Sequence, residues 1–250
     1  MIALPAGFLN QAFAHRGLHG AGRPENSMSA VKAAVEAGYG IEIDVQPSAD
    51  GVAMVFHDDA LERLTGKPGP VTSESADRLA RLPLLGGAGE GVPTLSEVLE
   101  IVAGRVPLLV EIKDQDGALG PNVGLLEEAV AACVHTYEGP LAVMSFNPHS
   151  VACMRDAAPD VPRGLTTCAF GEADWPQVPQ ARRAAHARFS MMEDIEASFI
   201  SHQADDLTSP EVARVIDAGY PVLCWTIRSA NEEAAARRYA DTITFEGYTP

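Results

Sequence analysis

The sequence predicts an α/β protein folded as a closed (β/α)8 TIM barrel, with a β-hairpin excursion after the second strand and a small insertion behind it. Three observations carry that expectation. Eight apolar runs of strand length alternate with helix-patterned stretches, which implies right-handed βαβ crossovers. The chain has 250 residues, near the usual size of one such barrel. Its 46% hydrophobic and only 6% aromatic content suits short helices packed on strands better than an aromatic-rich sandwich. Residues 1–250 are therefore expected to form a single barrel domain.

The elements follow in order. The first strand is expected over 12–15, and Asn26 is placed to cap a helix carrying Met28, Val31 and Val35 that Gly38 ends. The second strand, 40–45, runs into Asp50-Gly51, a hairpin turn signal, so that 52–56 returns antiparallel and stays outside the count of eight. Residues 61–93, rich in Gly and Pro with one short helix near 74–82, form the insertion, expected to cover the site. Thr94 and Glu97 make a capping box ahead of Leu95, Val98, Leu99 and Val102. Strands at 107–112 and 141–145 precede Asn147-Pro148, a cap followed by a first-turn proline. Strands at 163–166 and 199–201 precede Ser209-Pro210, which opens a helix with Val212, Val215 and Ile216 that stops at Gly219. The strand at 222–226 leads to a second box, Ser229 and Glu232, and the strand at 242–245 completes the set.

Eighteen Lys and Arg against 34 Asp and Glu give a formal charge of -16, a field that repels nucleic acid and acidic membrane surfaces. No apolar run approaches the ~18 residues of a membrane span, and the first eleven residues lack the basic and apolar signature of a signal peptide. The expected chain is cytoplasmic, without nucleic-acid partners or stable membrane insertion, and acts on a small molecule. Cys133, Cys153, Cys168 and Cys224 show no metal-binding spacing and are expected as reduced thiols.

The chemistry is concentrated at strand ends. In the strand Gly40-Ile41-Glu42-Ile43-Asp44-Val45 the two-residue period puts Glu42 and Asp44 on one face, pointing into the barrel mouth. Glu111 and Lys113 repeat that design on the next parallel strand. One buried acidic pair could be satisfied by an ion pair with Lys113 or Arg16. A third carboxylate tips the balance to a cation, and three hard oxygen ligands suit one divalent ion, Mg²⁺ or Ca²⁺. His15 and Arg16 end the first strand and His57 ends the hairpin, so two proton carriers and a phosphate-binding guanidinium converge there. Phe146 and Trp225 lie where they could line the substrate pocket. The other five histidines, His19 among them, receive no role.

The segments FAHRG, GRPENS, IEIDV, VFHDDALERLTG, VPTLSEVL and LLVEIK, in that order and spacing, resemble the glycerophosphodiester phosphodiesterase family, with MSFNP and VLCWT continuing the likeness more loosely. The resemblance implies a phospholipase C-like barrel that cleaves glycerophosphodiesters to glycerol 3-phosphate and an alcohol. It implies metal ligands at Glu42, Asp44 and Glu111, catalytic histidines at His15 and His57, and phosphate-binding cations at Arg16 and Lys113. The neighbouring glycerol hydroxyl would attack to give a cyclic phosphate, with direct attack by water as the other route. The segment Ile243-Thr244-Phe245-Glu246-Gly247 departs from the family's usual ending. The alternatives are a lysophospholipase D-like enzyme acting on lysolipid or another phosphodiester, and a silent barrel that binds a phosphate ligand.

Overall fold

A two-residue period runs along the parallel strands, and the computed structural model, which describes residues 2–250, shows what it separates. The strands are β1 (Phe13–Ala14), β2 (Gly40–Pro47), β3 (Ala53–Val55), β4 (Leu108–Ile112), β5 (Leu141–Ser145), β6 (Arg163–Thr167), β7 (Phe199–Gln203), β8 (Val222–Ile227) and β9 (Thr242–Phe245). All except β3 pair in parallel, and β1 joins both β2 and β9, closing an eight-stranded barrel. The helices are α1 (Met28–Ala37), α2 (Glu62–Thr65), α3 (Ala76–Ala80), α4 (Leu95–Val102), α5 (Leu125–Val134), α6 (Pro148–Ala157), α7 (Gln180–Ala187), α8 (Pro210–Asp217) and α9 (Ala230–Ala236).

Ile41, Ile43, Val45, Leu108, Val110 and Ile112 face outward into the layer shared with the helices. Each buried aliphatic side chain there contributes roughly 1.5–3 kcal/mol, which fixes the register and turns the alternate residues into the barrel. At the bottom of the barrel those residues are apolar: Phe13, Leu109, Ala142, Phe199 and Leu223 pack with Phe8 of an N-terminal 3-10 turn. Gly40 makes room for this plug, since a Cβ on it would lie 2.9 Å from the Phe13 ring. Two residues further up each strand the same face carries Glu42 and Glu111, so the barrel changes from oily to charged within one step of the period.

The eight expected strands are all present, those at 141–145 and 242–245 with the expected ends and the others with one or both ends shifted. β2 runs on to Pro47 because the hairpin gives it a partner, pairing Val45 with Val55 and Pro47 with Ala53. β1 stops at Ala14, although His15 still donates to Phe245 O at 2.9 Å, because Arg16 then turns left-handed with φ 54°. The Thr94–Glu97 box, the Asn147 cap and the Ser209 cap form as expected. Ser229 caps α9, but Glu232 reaches past it to accept from the amide of Arg228.

One cap is a correction. Ser27, and not Asn26, caps α1, accepting from the amide of Ala30. Asn26 sits left-handed at φ 56° and turns its side chain to Asp44, for which Asn is one of the better-suited residues. Residues 61–93 hold α2, α3 and a 3-10 turn at Val71–Ser73, where one helix was expected. Leu61, Leu64, Leu79 and Leu84 bury against Met54 and Phe56, so the segment is stapled to the hairpin by its own small core.

Candidate active site

The acidic centre follows from strand register. β2 and β4 pair with Asp44 directly opposite Glu111, and Glu42 precedes Asp44 by one inward step. The three carboxylates are 2%, 2% and 6% exposed, and an oxygen from each lies within 4.8 Å of the others. Lys113 Nζ bridges two of them, 2.7 Å from Asp44 and 2.5 Å from Glu111. Burial opposes the charge of Asp44, but Lys113, His57 and Arg16 hold its carboxyl far below the usual range. Burial likewise works against Lys113, and Asp44 and Glu111 hold its ammonium above the usual range. Glu42 fares differently. Its bonded partner is the backbone amide of Arg16 at 3.0 Å, and burial, followed by the charges of Asp44 and Glu111, pushes its pKa well up. The ion pairs with Lys113 and Arg16 thus exist, and among the described residues they engage Asp44 and Glu111 but not Glu42.

The Arg16 side of the cavity is built on the His15-Arg16-Gly17 turn. Gly17 has φ 77°, and a Cβ there would lie 2.9 Å from the Ala30 backbone, so only glycine lets this turn rest on α1. The turn aims Arg16 at Asp44 (Nε to Oδ2, 3.4 Å) and at Glu25 (Nη1 to Oε1, 2.6 Å). Arg16 Nε and Thr244 Oγ1 are buried without a hydrogen-bond partner among the described residues. Unmatched polar groups of this kind cost about 1–3 kcal/mol each unless a ligand satisfies them.

Each rim histidine is held through Nδ1 by a carboxylate. His15 is 2.6 Å from Glu246, and His57 is 2.7 Å from Asp58. Burial lowers the pKa of His15, and the Glu246 bond offsets part of that fall. Glu246 is held far below the usual carboxyl range by its bond with His15, with His19 and Arg228 adding to the effect. Asp58 is pulled down to about 2 chiefly by Arg63, which also grips Glu25 at 2.7 Å. In this way α2 of the insertion reaches the rim.

All nine residues singled out in the sequence, namely His15, Arg16, Glu42, Asp44, His57, Glu111, Lys113, Phe146 and Trp225, line one cavity of about 160 Å³. The model of the glycerophosphoryl diester phosphodiesterase family matches residues 15–243. The chain belongs to the glycerophosphoryl diester phosphodiesterase family. A glycerophosphodiester phosphodiesterase of Caldanaerobacter subterraneus subsp. tengcongensis is 36% identical over 161 residues, covering 61% of this chain and 64% of that relative. One of Bacillus altitudinis is 31% identical, covering 64% of this chain and 67% of that protein. The chain thus spans about two thirds of the length of these relatives. A solved phosphodiesterase of Oleispira antarctica, in complex with the product sn-glycerol-3-phosphate, superposes with a TM-score of 0.75 at 25% identity, over 97% of this chain and 93% of that one.

Within this family member, several site residues escaped the sequence reading. Asn26 donates to Asp44 Oδ2 at 2.9 Å and accepts from the Asp44 amide, and its position ahead of a helix disguised it as a cap. Glu25 and Arg63 are far apart in the chain and nothing local links them. Glu246 was visible only as a departure from the family's ending. The Trp175 ring packs at a tilt with its centroid 5.0 Å from that of Phe146 and, with Asp58, Asp59 and Asp114, borders a second cavity of about 320 Å³ that shares His57, Glu111, Lys113 and Phe146 with the first.

Proposed function

We propose that the chain hydrolyses glycerophosphodiesters to sn-glycerol 3-phosphate and an alcohol, using one divalent cation, Mg²⁺ or Ca²⁺, with His15 and His57 as the proton carriers. The observation that carries this reading is the meeting, in one cavity, of three buried carboxylates with two histidines that are each held by a carboxylate. Family membership and the product-bound Oleispira neighbour support it.

Glu42, Asp44 and Glu111 would hold the cation. Their donor set fits, being three hard oxygens, one of which, on Glu42, is pushed toward the neutral form by burial and by its two carboxylate neighbours. When bound, the cation supplies neutralisation for the nonbridging oxygens of the phosphodiester. Arg16 and Lys113 bind those oxygens from the protein side, Arg16 through the Nε that makes no hydrogen bond among the described residues. His15, kept neutral by burial, takes the proton of the attacking hydroxyl as its oxygen bonds to phosphorus. His57 delivers a proton to the alcohol oxygen as its bond to phosphorus breaks. If the attacker is the neighbouring glycerol hydroxyl, a cyclic phosphate forms and water opens it; trapping that species in single-turnover quench separates this route from direct attack by water. The alcohol extends into the second cavity, between Phe146, Trp175 and the acidic wall. We also read residues 61–93 as a fixed rim of the site. The four free thiols suit the cytosol.

Release of glycerol 3-phosphate, followed with a coupled dehydrogenase across a panel of glycerophosphodiesters, tests the proposal. Diesters of cationic and neutral alcohols should turn over ahead of one whose alcohol carries a net negative charge, such as an inositol phosphate. Failure to hydrolyse any member with saturating Mg²⁺ or Ca²⁺, or a strong preference for micellar lysolipid, would overturn it.

Glu246 makes a separate prediction about pH. Burial lowers the pKa of His15 below its ordinary 6.5, Glu246 opposes the fall, and Arg16 and Asp44 act in opposite senses beside it. Glu246→Gln removes the opposition, so the acid limb of the kcat/KM profile should move to lower pH while kcat drops as the ring loses its hold. A uniform loss with an unmoved limb would make Glu246 merely structural.

A further inference from the structure

Beside the acidic centre lies a second group of donors with different chemistry. His15 at the end of β1, His19 in the following loop and Glu246 after β9 bring two imidazole nitrogens and one carboxylate oxygen within 4.8 Å of one another. His15 Nδ1 is 2.6 Å from Glu246 Oε2, and His19 Nε2 is 3.5 Å from the same oxygen. The His19 nitrogen is shielded from solvent and makes no hydrogen bond among the described residues. The other carboxylate oxygen, Oε1, is held by Arg228 at 2.8 Å, which leaves Oε2 as the open donor.

We infer that His15, His19 and Glu246 form a binding site for a borderline transition-metal ion, Zn²⁺ above all, and that its occupancy inhibits the enzyme. Bonds of about 2.0–2.2 Å in a tetrahedron around zinc set neighbouring donors roughly 3.3 Å apart. The His19–Glu246 edge already has nearly that length, and the His15–Glu246 edge opens to it by a small rotation of either side chain. Two nitrogens and one oxygen select zinc over Mg²⁺ and Ca²⁺, whereas Glu42, Asp44 and Glu111 offer only the hard oxygens that excess Mg²⁺ can fill. The side chains are 13%, 27% and 21% exposed, so a rotation of the His19 ring opens its shielded nitrogen to a hydrated ion, which keeps a water in the fourth position. A metal on Nδ1 fixes the remaining proton of His15 on Nε2, and the ring can no longer accept one. That inhibition rests on the role proposed for His15; the binding does not.

The test is calorimetric titration of the whole protein with zinc in the presence of excess Mg²⁺, alongside turnover of glycerophosphocholine. Wild type should bind one zinc in the micromolar range or tighter and lose activity in parallel. His19→Ala and His19→Gln should turn over normally without zinc, yet bind it at least tenfold more weakly and resist it to the same degree. Zinc binding that is lost in both variants but never slows the wild type upholds the site and removes His15 from the reaction. No zinc binding in wild type, or equal binding and inhibition in wild type and both variants, overturns the inference.

Discussion

Glu42→Gln is expected to abolish binding of the divalent cation and to lower kcat/KM by about 10³-fold or more, while making the metal-free protein more stable above neutral pH. Cation stabilisation of a phosphoryl transition state is worth several kcal/mol, and each ~1.4 kcal/mol is a factor of ten. The stability half of the prediction follows from charge balance. Glu42 is raised above its ordinary 4.5 by burial and by Asp44 and Glu111, and Lys113 is already committed to the latter two. A carboxyl raised by folding stabilises the fold below its unfolded pKa, and that contribution is lost as pH climbs through the folded value. Metal-free wild type should therefore weaken as pH rises from about 4.5 upward, and added Mg²⁺ or Ca²⁺ should restore it. Gln at this position accepts the same Arg16 amide bond and has no proton to lose, so its melting temperature should depend less on pH. Calorimetry and thermal unfolding at several pH values check both halves; a variant that binds the cation as tightly as wild type would remove Glu42 from the ligand set.

His15→Ala and His57→Ala should each cost about 10²–10⁴-fold in kcat, the usual worth of a positioned proton carrier, with cation affinity unchanged. The two losses should differ in kind. A diester with a nitrophenol leaving group needs no proton on departure, so it should recover most of the activity lost in His57→Ala and little of that lost in His15→Ala. Burial holds His15 neutral and ready to accept, whereas His57, held by Asp58 beside the larger cavity, faces the departing alcohol. Recovery in the opposite pattern would exchange the two roles, and normal turnover in either variant would exclude that residue.

The barrel and most of its chemical inventory were written locally. Period-two alternation in β2 and β4 set which side chains turn inward, and burial of Ile41, Ile43 and Val110 enforces that choice whatever the rest of the chain does. Caps at Thr94, Asn147 and Ser209 were legible because a capping side chain bonds an amide two or three residues away. α7 gave no such signal, since Pro179 precedes it and offers no side-chain cap. Asn26 was misassigned for the converse reason, a good capping residue one position early whose side chain is claimed by a strand.

The nine site residues could be named from strand ends and family resemblance, yet their pairings could not. Glu246 meets His15 across 231 positions of sequence, and Arg63 meets Glu25 across 38. Local pattern determines the face on which a side chain lies; closure of the barrel decides which strand ends become neighbours, because only there do carboxylates, imidazoles and guanidinium groups come within the few ångströms over which charge and hydrogen bonds act.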